Sequence, residues 1–89
     1  MSSLDLLSFV KRGKNRVLVL KALEGAMMPS ELVIKIYGKS SNTYFNIVSR
    51  ALAELVEKGL VRIKNPNEKT GRFYELTKIG NQIIKLLFK

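Results

Sequence analysis

A chain of 89 residues, 46% of them hydrophobic, is long enough for one compact core and too short for two. The absence of cysteine and histidine excludes a disulfide framework and a thiolate or imidazole metal site, and no run of about 18 apolar residues offers a membrane-spanning helix. With 16 Lys and Arg against 7 Asp and Glu, the net charge is +9, spread along the chain rather than gathered in one tail; in a folded domain this points to a polyanionic partner, or else to a surface kept basic for solubility.

The first helix is expected over residues 4–11. Ser2 or Ser3 caps it, Asp5 lies in its first turn, and Lys11 and Arg12 lie at its end, all in the sense the helix dipole favours. Gly13 ends it. Lys14 and Asn15 open a second helix, RVLVLKALE, which Gly25 stops; it is apolar nearly all round and is expected at the centre of the core. Pro29 suits the first turn of a short third helix closed by Gly38. A longer helix runs from Ser41 or Asn42 to about Lys58, with Gly59 as a left-handed cap and Leu60 folding back on the last turn.

After Gly59 the apolar period changes from 3.6 to 2. Residues 60–64 and 72–76 read as two half-buried strands joined by NPNEKTG, a turn-forming and basic tip. Thr77 caps a closing helix over residues 78–89. The fold class is thus mostly α with a small β-hairpin (α+β), in the order α-α-α-α-β-β-α. It divides into an N-terminal helix (1–12), a core (14–77) and a C-terminal helix (78–89). The opening MSSLDLLSFVKRGK carries Asp5 early and its cations late, the wrong order for a secretory signal. A cytoplasmic, nucleoid-associated protein is expected.

Three groups of residues carry a resemblance: Val48-Ser49-Arg50 with Leu52 and Leu55, then Lys58-Gly59-Leu60-Val61, and finally Tyr74-Glu75-Leu76-Thr77 with Gly80. In their order they are similar to the winged helix-turn-helix, and the last group looks like the Y-x-L-T-x-x-G wing ending of MarR-, ArsR- and PadR-like transcriptional regulators. The resemblance runs from Lys14 to the C-terminus, and the Lys- and Ile-rich, Cys-free composition is similar to that of small archaeal regulators. It implies a recognition helix over about 42–58 in the major groove of double-stranded DNA. It also implies a wing over 64–72 on the backbone or in a minor groove.

At 100° per residue, Phe45, Val48, Leu52 and Leu55 share one side of the long helix and are expected in the core, with Tyr44 and Ala51 at its edge. The opposite side collects Thr43, Asn46 and Arg50, flanked by Asn42, Ser49 and Ile47, and no acid appears on it before Glu54 and Glu57. Arg pairs bidentately with guanine and Asn with adenine, while Thr can meet a base or a phosphate. Ser40, Ser41 and the free N–H groups of the helix start suit phosphate, although Ser41 or Asn42 can equally serve only as the cap. Lys14, Arg16 and Lys39, at neighbouring helix starts, are expected on the flanking backbone. In the wing, Lys64, Asn67, Lys69 and Arg72 are the candidates, with Asn65 and Thr70 as further donors and Arg72 suited to a narrow minor groove.

The first and last helices are both greasy. Leu4, Leu7, Ile79, Ile83, Leu86 and Leu87 either cover one another within the chain or, as expected here, build a two-fold homodimer that presents two recognition helices to a palindromic site. An enzyme is not expected, since no glycine-rich phosphate loop or paired carboxylates appear and Glu24, Glu31, Glu54 and Glu57 read as solvated helix charges. No cofactor, metal or small-molecule ligand is expected. The rival reading is a winged-helix module for protein–protein or RNA contacts without sequence-specific DNA reading.

Overall fold

The computed structural model describes residues 2–88. Five helices and one hairpin follow in the order α1 (Ser3–Lys11), α2 (Lys14–Ala22), α3 (Pro29–Tyr37), α4 (Asn42–Glu57), β1 (Val61–Ile63), β2 (Tyr74–Leu76) and α5 (Lys78–Leu87). The mostly helical α+β class and the element order agree with the sequence reading. The expected end of the last helix at 89 lies outside the described residues.

Local chemistry accounts for most boundaries. The Ser2 hydroxyl accepts from the Asp5 amide and donates to its carboxylate, which starts α1. The Glu31 carboxylate accepts the Met28 amide at 2.8 Å ahead of Pro29, so Glu31 is a capping group rather than a free surface charge. Helix α2 stops at Ala22, two residues short of expectation, because Leu23 turns extended and Lys35 Nζ takes the Ala22 carbonyl at 2.6 Å. Lys35 also pairs with Glu24 at 2.9 Å, so Glu24 too has a partner.

The Ser41 hydroxyl accepts the Tyr44 amide at 3.0 Å, which starts α4. Its end is a Schellman turn: Gly59, at φ 79°, bonds back to the Val56 carbonyl and Leu60 to the Leu55 carbonyl. Leu60 is therefore committed to the helix cap. That is one reason β1 is shorter than the alternation suggested.

The hairpin pairs Val61 with Leu76, Arg62 with Glu75 and Ile63 with Tyr74, and Lys64 adds one bond to the Phe73 carbonyl. Beyond that the Asn65 side chain replaces backbone pairing: its oxygen accepts the Phe73 amide and its nitrogen donates to the Gly71 carbonyl. Asn65 braces the hairpin and is not the free donor expected of it. On its other side β2 is joined by Met27, which exchanges two backbone bonds of 2.9 and 2.8 Å with Tyr74.

The core gathers Val10, Val19, Leu20, Leu32, Val33, Val48, Leu52, Leu55, Leu60, Val61 and Ile83. Helix α2 touches each of the other four helices, as its all-round apolarity suggested. Two expectations fail. Phe45 is 43% exposed rather than core; it lies in the first turn of α4, where Tyr44 takes the packed place by stacking on Tyr37 at 4.0 Å. Ile83 is 1% exposed, a core residue that no second copy can reach. Helix α1 packs on α5, leaving Leu7, Leu86 and Leu87 half-buried while Leu4, Ile79 and Phe88 stay exposed. Among the described residues no helix is long and apolar enough to cross a membrane.

Candidate nucleic-acid interface

Helix α4 turns Asn42, Thr43, Asn46 and Arg50 to solvent, the outward face its 3.6-residue period assigns. Two concavities are lined in part by α4. One, of about 250 Å³, is lined by Thr43, Asn46, Ile47, Arg50, Ala51 and Glu54 together with Asn15 from the start of α2. The other, of about 330 Å³, is formed on the hairpin side by Phe45 and Ser49, by Met28, Pro29 and Ser30 of the α3 start, and by residues 69–72 and Tyr74.

Arg16 is not the free backbone ligand expected. Its Nε and Nη2 reach the two oxygens of Glu54 at 3.3 and 3.1 Å, and its Nη1 donates to the Phe9 carbonyl at 2.7 Å. The guanidinium also lies 3.9 Å from the centre of the Phe9 ring. The planar fork of Arg fits a carboxylate and an aromatic face at once. Glu54 is correspondingly not a solvated charge. The hydrogen bond from Arg16 holds its pKa below the ordinary Glu range; partial desolvation opposes this, and the charges of Arg16 and Arg50 add to it. The acid in the first concavity is thus ionised and already neutralised.

Lys14, Lys39 and Ser40 are exposed beside this face. Ser41 is half-buried with its oxygen accepting in the cap, and its hydroxyl hydrogen is the group that suits a phosphate. In the hairpin, Lys69 and Arg72 join α4 at the second concavity, with the Arg72 Nε held by the Glu68 carbonyl at 2.6 Å. Lys64 and Asn67 are exposed but do not line it; the register sets Lys64 opposite Phe73, on the hairpin face away from Tyr74. Sequence reasoning missed Asn15, Ser30 and Phe45. Asn15 and Ser30 each sit in the first turn of a helix, where uncharged donors as well as cations suit phosphate, and Phe45 reads as core because its phase is apolar.

Among the described residues, no carboxylate lines the second concavity, and no group of His, Cys, Asp and Glu is arranged to hold a metal. What the arrangement offers is hydrogen-bond donors on the exposed side of α4, with Asn15 of α2 on one flank and Lys69 and Arg72 of the hairpin on the other. No protein-family model, curated protein or solved structure matches this chain.

Proposed function

We propose that the chain is a winged helix-turn-helix that binds double-stranded DNA sequence-specifically and regulates transcription, with α3 and α4 as the helix-turn-helix and the β1–β2 hairpin as the wing. One observation carries the reading: the outward side of the first half of α4 is exposed and free of acids, with Asn15 of the α2 start on one flank and Lys69 and Arg72 of the hairpin on the other. A helix entering a major groove meets base edges with its outward face and a phosphate strand on each side. Asn46, Arg50 and Thr43 would read bases. Lys14 and Asn15 would hold one strand, and Ser30, Lys69 and Arg72 the other. The Met27–Tyr74 pairing supports the wing assignment by fixing the hairpin beside the start of α3.

A homodimer on a palindrome belongs to the same proposal. Leu4, Ile79 and Phe88 are the apolar residues a second copy would cover, and half-sites would then recur at about 34–36 Å.

Selection from random-sequence duplexes, followed by affinity measurements over a salt series, tests the reading. A recovered consensus is expected, with log K falling by about 0.9 per phosphate neutralised. A flat salt response, or equal affinity for structured RNA in competition, would overturn it.

A further inference from the structure

Phe45 has no part in the contacts assigned so far. Single exposed apolar side chains are ordinary, but this one is not isolated. Met28, Pro29 and Tyr74 share its cleft, Ser49 lies one helical turn further on, and Lys69 and Arg72 line the same cleft from the hairpin. A lining that combines apolar side chains with two cations and no acid among the described residues is complementary to one strand of a duplex.

The chemistry of that strand narrows the contact. A side chain on a helix lying in the major groove meets the edges of bases, since their faces are stacked on one another. Along those edges the groove displays a single apolar group, the C5-methyl of thymine. We propose that Phe45 is a specificity-determining residue that recognises a thymine through this methyl, on the wing side of α4 and apart from the Asn46 and Arg50 contacts. The inference rests on the DNA reading above and adds to it a fixed thymine in the recognition sequence.

Replacing thymidine by deoxyuridine, one position at a time in the selected duplex, removes only the methyl. Wild-type protein is expected to lose about fourfold in affinity at one position of each half-site, the order of one buried methyl. Phe45→Ala should bind the two duplexes alike at that position. It should also keep the salt slope of the wild type, since no charge is lost. Phe45→Gln, which keeps side-chain length on a residue already half in solvent, repeats the comparison independently of any loss of stability in the Ala variant. Insensitivity of the wild type at every position overturns the inference, as does equal sensitivity in both variants; contact with deoxyribose instead of the methyl gives the first of these results. Failure of the parent reading looks different, because the selection then returns no consensus at all, and both fall together.

Discussion

Arg50 and Arg16 lie on adjacent helices and do opposite work. Arg50 is exposed with no ion pair shorter than 4 Å among the described residues, so in the proposed complex its guanidinium is free for a guanine. Arg50→Ala should cost about 1–3 kcal/mol on the selected site and little on random DNA, measured by competition. Arg16 is engaged by Glu54 and Phe9. Arg16→Ala should lower stability by about 1–2 kcal/mol in urea unfolding, a charged hydrogen bond discounted for partial exposure. It should also weaken DNA binding by uncovering the Glu54 charge in the first concavity, and adding Glu54→Gln should restore that binding. If the double variant stays weak, Arg16 is a direct phosphate ligand. Because the folded-state pKa of Glu54 is lowered, its contribution is fully present above the unfolded Glu value of about 4.3 and is lost as pH falls through the lower folded value. The stability gap between wild type and Glu54→Gln should therefore be wide at pH 7 and close towards pH 3. The outward phase of Thr43, Asn46 and Arg50 was legible in the sequence because helix period is local. The fate of Arg16 was not, since its carboxylate partner lies 38 residues away.

At the level of elements, caps and glycines carried most of the information. Ser2, Ser41, Thr77, Gly38 and Gly59 act within one turn of their own positions, and the helix ends they govern fell where the sequence put them. Ends decided by distant groups moved, as at Ala22 and along the hairpin. Gly80 shows the same division. Inside a helix, Ala usually replaces Gly with a gain of about 1 kcal/mol. A methyl at Gly80 would instead run into the Leu60 carbonyl oxygen, a contact fixed by the Thr77 amide bonded to that same oxygen at 3.0 Å. Gly80→Ala should lose about 1–3 kcal/mol by thermal unfolding, a reversal of sign that checks the docking of α5. For the hairpin acting as a wing, Lys69→Ala should weaken selected and random duplexes alike and make the salt slope shallower by about 0.9.

For the whole molecule, the cations behind the net charge of +9 are more numerous than those the proposed interface holds. Arg16, Lys35 and Arg62 are paired internally, and with Arg50 assigned to a base the cations proposed for phosphate are Lys14, Lys39, Lys64, Lys69 and Arg72. Five contacts at about 0.9 each limit the slope of log K against log salt to about −4.5 per subunit; a steeper slope means that cations elsewhere bind, or that two subunits bind together. Solution mass in the presence and absence of the selected duplex separates those cases. The bridge between Met27 and Tyr74 has one more consequence. It makes β2 the interior strand of the small sheet, so the outer side of β1 is left as the open edge among the described strands. That edge is three residues long and carries Arg62, with Lys64 just beyond it. Short and followed by a lysine, it is a poor template for strand addition, so copies brought close together on the proposed DNA would not zip into aggregates through their sheets.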